Sequence, residues 1–339
     1  MNKIILVGIL GISISGNAYG DIQKSRTLDF DYEVTVKDIP TNASELKVWL
    51  PFLQENNFQI IEDVSINPSD SFQISLDKTY HNKILNFTLR PPFDQIVKIN
   101  VHYKVKRLEY SNKPGDGKTS HQMAETMDDL VKFLKADRLV TLSDHIKTLA
   151  GQITKDKKTT IEKARAIYDY VFNNVAYNKE IAGWGYGDTE RVCNVKAGNC
   201  TDFHSLFISL ARASGIPAKF IMGVPLKNDE QGEDTGYHCW AEFYDEHLGW
   251  VPVDISEAWK DKTKYEYHFG AVDENRLEFT QGRDIILQPF AAGEPLNYFI
   301  YPYAEVDGKI HKAVGVLFKY KNIQKSIAEK DEFRHLTKK

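Results

Sequence analysis

The sequence has few cysteines and no surplus of basic residues. Its 339 residues include three cysteines and carry a net charge of -4. Three cysteines are too few for a fold held together by disulfides, and their odd number leaves at least one thiol unpaired or paired with another molecule. Without a basic surplus the protein lacks the positive surface that contacts phosphates, so we predict that it does not bind nucleic acid.

The sequence also lacks an apolar run long enough to cross a membrane. The run from Ile4 to Ile14 is shorter than the roughly 20 residues that a membrane-spanning helix needs. Lys3 precedes this run and small residues follow it up to Gly20, which is the layout of a secretory signal. We therefore predict a signal peptide over residues 1–20 and a secreted or periplasmic mature protein without stable membrane insertion. An uncleaved anchor is the alternative.

Residues 21–110 show the alternation of apolar and polar residues that is typical of β-strands. Phe30, Tyr32 and Val34, for example, alternate with polar side chains, which indicates strands with one buried and one solvated face. We predict an antiparallel, sandwich-like β domain over these residues. Residues 111–157 begin with Gly, Pro and Ser and continue with helical spacing, so we predict a linker and a helical crossover there.

Residues 158–320 combine helical and strand-like patterns. An apolar stripe from Thr160 onward predicts a helix that packs on the rest of this region. Near its end, two strand-like segments joined by Asp307-Gly308 predict a hairpin. We therefore predict an α+β fold, with a second domain over residues 158–320 that includes the C-terminal strands and a charged tail over residues 321–339.

Cys200 lies where a helix is predicted to begin. It follows Gly198 and Asn199 and precedes an apolar stripe at helical spacing, which ends at Gly215 with Pro217 behind it. At a helix N-terminus, the free backbone N–H groups and the helix dipole favour a thiolate and lower the pKa of a thiol. The same N–H groups can receive the oxyanion of a tetrahedral intermediate. These features predict a nucleophile; the alternative is a buried structural thiol.

The spacing of two predicted strands indicates a base for this nucleophile. If their hairpin is symmetric about Glu246, His238 lies opposite Asp254. Directly opposed residues project to the same face of a sheet, so the carboxylate can accept the imidazole N–H. A bulge at Gly249 would instead turn the aspartate to the other face. We predict that Cys200, His238 and Asp254 are the nucleophile, the base and the orienting acid of an acyl-transfer enzyme.

Other residues near Cys200 leave alternatives open. His204 lies four residues later, on the same face of the predicted helix, and is a rival partner for the thiol. Cys193 and Cys239 could form a disulfide that fixes the loop before the helix, although the sequence does not supply the geometry of such a bond. The acidic loop at residues 227–236 fits no calcium-binding spacing, so we predict a solvated flap that gates access to the site.

Three segments resemble the sequence blocks of the transglutaminase-like superfamily. They are GNCTDFHSLFISLARASGIPAKFIMGVP, YHCWAEFY and GWVPVD. The resemblance implies a papain-like α+β core, in which a helix that carries the cysteine packs on an antiparallel sheet that carries the other two residues. It matches Cys200 to the nucleophile, His238 to the general base and Asp254 to the orienting acid. For bacterial members it implies no obligatory cofactor.

The resemblance also implies a role for Trp184 in the segment GWGYG. This residue resembles the tryptophan whose indole N–H assists the oxyanion in animal transglutaminases, and a tryptophan that caps the core is the alternative. The sequence has Asn199 and Thr201 where those enzymes have Gln and Trp. The resemblance therefore does not by itself imply glutamine–lysine cross-linking.

The predicted activity is that of an exported, cysteine-dependent enzyme that acts on protein or peptide substrates through a thioester intermediate. Its reaction would be peptide or amide hydrolysis, deamidation or transamidation, with neither a cofactor nor a metal. The alternative is a non-catalytic protein that binds a peptide or an envelope polymer on the same fold. Thiol redox exchange is disfavoured, because the sequence has no C-x-x-C pair.

Overall fold

The computed structural model describes residues 23–69, 71–114 and 125–323. The predicted signal peptide, part of the predicted linker and most of the predicted charged tail lie outside these residues. Within them, no helix is both long enough and apolar enough to cross a membrane.

The N-terminal part of the chain forms antiparallel strands, as its alternation predicts. They are β1 Ser25–Val36, β2 Leu46–Pro51, β3 Gln59–Asn67, β4 Phe72–Leu76, β5 Lys83–Leu89, β6 Val97–Leu108 and β7 Tyr110–Ser111. Along most of β1 and β6, buried residues alternate with partly exposed ones, because every second side chain points to the core. These two strands pair along the whole length of β1.

The helices of the described residues follow these strands. They are α1 Met127–Val131, α2 Asp144–Ile153, α3 Thr160–Asn174, α4 Thr189–Val195, α5 Cys200–Ala213 and α6 Ile255–Lys260. A capping box of Thr159 and Glu162 starts α3. The apolar face of α3 packs against α5, which is buried along almost all of its length.

The later strands are β8 Ala176–Tyr177, β9 Ala197–Gly198, β10 Ala218–Pro225, β11 Gln231–Asp234, β12 His238–Asp245, β13 Gly249–Val253, β14 Ala271–Val272, β15 Arg276–Gln281, β16 Tyr303–Val306, β17 Lys309–Ile310 and β18 Val314–Asn322. Four of them form an antiparallel sheet in the order β13-β12-β10-β15. Helix α5 packs on this sheet, chiefly against β12. The fold is α+β, with a cysteine at the start of the helix that covers the sheet.

The C-terminal strands pair with the N-terminal strands, which corrects their predicted place in the domain over residues 158–320. β18 pairs with β1, and β16 pairs with β2, so two five-stranded sheets form in the orders β11-β18-β1-β6-β3 and β17-β16-β2-β5-β4. The physical reason is that β6 occupies only one edge of β1, and an unpaired edge would leave its backbone groups without partners. The predicted hairpin at Asp307-Gly308 is confirmed, with φ angles of 49° and 73°.

The N-terminal sheets and the α5-bearing sheet share one hydrophobic core. Phe279 on β15 lies with its ring centroid 6.0 Å from that of Phe30 and 5.7 Å from that of Tyr32, both on β1. The β-rich part of the chain therefore supports the sheet on which α5 rests.

Candidate active site

Cys200 is the first residue of α5, where the sequence predicts the helix to begin. Asn199 is the N-cap. Its side-chain oxygen accepts the N–H of Thr201 at 2.9 Å, and the Asp202 carboxylate accepts the N–H of Asn199 at 2.9 Å. This capping box fixes the residue at which the helix starts. Cys200 is buried and lies at the end of the helix that carries the positive end of the helix dipole.

The loop at residues 183–187, with the sequence GWGYG, is fixed to the start of α5. The buried carboxylate of Asp202 accepts the N–H of Gly185 at 2.7 Å and that of Gly187 at 3.2 Å. Trp184 is therefore held by its backbone at the end of α5 that carries the cysteine. Trp184 is 38% exposed.

Arg283 gives this loop a second anchor, which sequence reasoning missed. Its buried guanidinium donates to the carbonyl oxygens of Tyr186 at 2.6 Å and Gly187 at 3.1 Å, and it contacts Ser205 Oγ on α5. No local pattern marks an arginine so far along the chain. The role of Asp202 at the start of α5 could have been predicted from the sequence, because an Asn followed three residues later by an acidic residue is a capping-box signal.

His238 and Asp254 meet in the interior. His238 Nε2 lies 2.6 Å from Asp254 Oδ2, and both side chains are buried. A hydrogen bond with His238 and the charge of that histidine both act to lower the pKa of the Cys200 thiol. The structure thus places Asp254 against His238, and His238 near Cys200.

The hairpin register that led to this pairing is wrong: the turn is centred one residue later than predicted, which displaces each facing partner by two residues. The observed pairs include Tyr244 with Trp250 and Asp245 with Gly249, so His238 does not lie opposite Asp254 in the sheet. The turn starts one residue later than predicted, because the Asp245 carboxylate accepts the N–H groups of the second and third turn residues at 3.0 and 3.1 Å. Such a side-chain cap makes Asp245 the last strand residue.

Asp254 reaches the histidine because it leaves the strand and caps α6. It is the N-cap residue of that helix, and its Oδ1 accepts the N–H of Glu257 at 3.1 Å and the hydroxyl of Ser256 at 3.2 Å. Oδ2 is then free to face the imidazole. The cap, and not a cross-strand position, orients the carboxylate.

His204 and Cys239 lie together near Cys200. His204 Nδ1 is 3.8 Å from Cys239 Sγ, and His204 Nε2 accepts the N–H of Ile255 at 3.0 Å. These contacts do not match the rival prediction of His204 as the base. The Cys239 thiol donates to Thr201 Oγ1 at 3.7 Å. Burial, and after it the hydrogen bond and charge of Cys200, raise the pKa of Cys239.

The predicted disulfide between Cys193 and Cys239 does not form in the structure, where all three cysteines are free thiols. Cys193 belongs to α4, whereas Cys239 faces the first turn of α5.

The buried charges favour an ion pair between Cys200 and His238. The hydrogen bond from Cys239, together with the hydrogen bond and charge of His238, holds the pKa of the Cys200 thiol well below its ordinary value despite burial. Burial works to lower the pKa of His238, but the Asp254 carboxylate outweighs it and raises this pKa to about 9. The charged histidine in turn holds the pKa of Asp254 low, against the opposing effect of burial. A thiolate beside an imidazolium is therefore the favoured state.

The acidic loop at residues 227–236 is partly a strand. Within it, β11 pairs with β18, and Arg26 donates to the carbonyl oxygens of Lys227 and Asp229 at 2.7 Å each. The predicted flap is therefore tied to the N-terminal sheet along part of its length. Over the described ranges, no group of three or more His, Cys, Asp and Glu side chains is arranged to hold a metal ion.

Residues 147–255 match the family model described as the transglutaminase-like superfamily. Among curated proteins, an uncharacterised protein of Haemophilus influenzae is 33% identical over 213 residues, which are 53% of this chain and 58% of that protein. The uncharacterised protein YebA of Bacillus subtilis is 26% identical over 153 residues, which are 40% of this chain and 21% of that protein. The chain thus spans less than two thirds of the length of either relative.

Among solved structures, a protein from Cytophaga hutchinsonii with a provisional description as a cysteine protease has a similar fold. The two are 15% identical and have a TM-score of 0.56, with 90% of this chain and 94% of that chain covered. At this identity the similarity shows a shared fold and not a shared activity.

Proposed function

Because residues 147–255 belong to the transglutaminase-like superfamily, we propose that this protein is a cysteine-dependent acyl-transfer enzyme. In this proposal Cys200 is the nucleophile, His238 is the general base and acid, and Asp254 orients the histidine. The observation that carries it is the 2.6 Å contact between His238 Nε2 and Asp254 Oδ2 beside a thiol at a helix N-terminus.

The proposed reaction begins with the attack of the Cys200 thiolate on the carbonyl carbon of an amide. The backbone N–H of Cys200 stabilises the oxyanion that forms, because the N–H groups of the next three residues already donate to Asn199. Trp184 assists it in our proposal. His238 then gives its proton to the leaving amine as the C–N bond breaks, which leaves a thioester on Cys200. Water or a second amine attacks the thioester, loses a proton to His238 and restores the thiolate.

The choice between water and an amine decides the reaction class. Water at the thioester gives peptide or amide hydrolysis, or deamidation when the amide is a side chain. An amine gives transamidation. We propose a protein or peptide substrate and a secreted or periplasmic location, on the grounds of the superfamily and of the N-terminal sequence.

A mass-spectrometric experiment can assign the reaction. Purified protein is incubated with an extract of envelope proteins and an isotope-labelled primary amine, beside Cys200→Ala and the control variant Cys193→Ala. Labelled glutamines indicate a transamidase, deamidated glutamines a deamidase and new chain ends a protease.

The control variant distinguishes the loss of the proposed nucleophile from the loss of any thiol. Cys193 is a free thiol on α4, outside the proposed mechanism, so Cys193→Ala is expected to keep full activity. Products that persist in Cys200→Ala would contradict the proposal. If the wild-type protein yields no product at all, the non-catalytic binding protein becomes the better interpretation.

A further inference from the structure

His204 is a fully buried histidine that the proposed mechanism does not use. It lies one helical turn after Cys200 on α5. Its Nε2 is 3.0 Å from the backbone nitrogen of Ile255 and 3.6 Å from Asp254 Oδ1, and its Nδ1 is 3.8 Å from Cys239 Sγ. The imidazole of His204 thus connects α5 with the start of α6, at Asp254 and Ile255, and with Cys239 on β12.

The contacts of His204 decide which ring nitrogen carries the proton. The backbone N–H of Ile255 can only donate, so Nε2 accepts and is unprotonated. The proton of the neutral ring therefore lies on Nδ1, which is 3.8 Å from Cys239 Sγ and has the Cys200 backbone as a second neighbour. Burial lowers the pKa of His204 to about 4, against the pull of the Asp254 carboxylate, so this neutral form persists at neutral pH.

The hydrogen bond from Ile255 to His204 also affects the position of Asp254. It is the first residue of α6, directly after the Asp254 N-cap, and the N–H groups of a first helical turn have no partner within their helix. A hydrogen bond to this N–H fixes the end of α6 against α5. It thereby fixes the carboxylate that contacts His238.

Cys239 is the second group that His204 positions. With Nδ1–H facing Sγ, the proton of the Cys239 thiol is left for its other neighbours: the thiol donates to Thr201 Oγ1 at 3.7 Å. A hydrogen bond from Cys239 is also the largest cause of the low pKa of Cys200. A thiol that donates to Cys200 stabilises the thiolate there.

We propose that His204 is a positioning residue with two contacts: its Nε2 holds the Asp254–Ile255 backbone against α5, and its Nδ1–H holds the Cys239 thiol as a donor to Cys200. This inference rests on the proposed function, because it concerns how the same three residues are held. It adds a second histidine and a second cysteine to the site.

Two substitutions separate the two contacts. In His204→Gln the side-chain oxygen can take the place of Nε2 and accept from Ile255, but no donor remains for Cys239. In His204→Asn the amide nitrogen takes the place of Nδ1 and can donate to Cys239, but the side chain does not reach Ile255. The readouts are the pH dependence of Cys200 alkylation by iodoacetamide, located by mass spectrometry, and the NMR titration of His238.

Each variant has its own expected result. His204→Asn is expected to lower the pKa of His238 by about one unit or more and to slow Cys200 alkylation at pH 7 about tenfold, since Asp254 is no longer held. His204→Gln is expected to leave the His238 titration within about half a unit while raising the pH needed for alkylation. If His204 had a purely structural role, both variants would change the His238 titration and the Cys200 alkylation in the same way.

A substitution elsewhere on α5 serves as the control. Ser209→Ala removes a hydrogen bond to the Thr141 carbonyl from the same helix and is expected to lower stability without changing the alkylation profile. If both His204 variants alkylate and titrate like the wild type, the inference is wrong although Cys200 remains reactive. If the wild-type thiol itself titrates near its ordinary pKa of about 8.5, the proposed function fails instead.

Variants at Cys239 test the second contact even if His204 variants do not fold. Cys239→Ala removes the donor and is expected to slow Cys200 alkylation at pH 7 about tenfold. Cys239→Ser restores a donor and is expected to recover most of that rate. Equal rates for wild type and Cys239→Ala would overturn this part of the inference.

Discussion

At the scale of single residues, the site depends on two opposed shifts of pKa. The pKa of the Cys200 thiol is held low, chiefly by the hydrogen bonds from Cys239 and His238. The pKa of His238 is raised to about 9, because the Asp254 carboxylate outweighs the effect of burial. Because both shifts favour the charged form, the thiolate and the imidazolium coexist at neutral pH before any substrate binds.

The first prediction concerns the pH dependence of this ion pair. In wild-type protein, Cys200 is expected to react with iodoacetamide well below pH 8.5, the ordinary pKa of a thiol being about that value. His238→Ala removes the positive charge, so alkylation at pH 7 is expected to slow at least about tenfold. Rates measured from pH 5 to pH 10 check this, and superimposable profiles would argue against the pairing.

The same shift affects stability. The raised pKa of His238 means that the folded protein holds this proton more tightly than the unfolded chain does. Its stabilising contribution is therefore complete below the ordinary value of 6.5 and is lost as the pH rises through about 9. The lowered pKa of Cys200 makes a contribution of opposite sign over the same range. The fall in the free energy of unfolding is therefore expected in Cys200→Ala, measured by denaturant titration, and the double variant Cys200→Ala/His238→Ala is expected to lack it.

At the scale of elements, the loop at residues 183–187 and the start of α5 form one rigid unit. Asp202 holds the loop from one side and Arg283 holds it from the other. The loop needs glycine at its end: Gly187 has a φ of +64°, and a Cβ there would collide with Ser205 Oγ and Arg283.

A matched pair of glycine substitutions tests this unit. Gly187→Ala adds both backbone strain and the collision, and it is expected to reduce turnover at least about tenfold by displacing the loop. Gly215→Ala has a similar φ of +79° with nothing within 4 Å, so it is expected to cost roughly 1–2 kcal/mol of stability while turnover is unchanged. Equal activities in the two variants would show that the loop position is not critical.

At the scale of the whole molecule, the active-site sheet is supported by strands from both ends of the chain. β18 completes the sheet of β1, and Phe279 joins β15 to the aromatic side chains of β1. Since all of these residues lie in one core, the molecule is expected to unfold as a unit.

Phe279→Ala tests this shared core. The loss of a buried aromatic ring is expected to cost about 3–5 kcal/mol, and far-UV circular dichroism and the exposure of the Cys200 thiol are expected to report the same denaturant midpoint. Phe290→Ala is the control, because Phe290 is 69% exposed and its loss should change stability by no more than about 0.5 kcal/mol. Separate midpoints for the two probes would indicate two independently folding parts.

Much of the site was predictable because its signals are local. The start of α5 follows from the capping residue Asn199 and the apolar spacing behind Cys200, and the Asp307-Gly308 turn follows from the conformations that this dipeptide favours. The register around Glu246 was not predictable from strand symmetry alone. The side-chain cap of Asp245 shifts the turn by one residue, and that shift changes every facing pair.

The sequence by itself determined the α+β class, the residue at which α5 begins and the three residue types that meet there. Each of these depends on spacing within one segment, where periodicity and capping act directly. Only the tertiary structure decided that Asp254 reaches His238 as a helix cap, that His204 contacts Ile255, and that β18 pairs with β1. These contacts join segments far apart in the chain. Local sequence patterns do not distinguish between several possible pairing partners, and the packing of the whole core selects one of them.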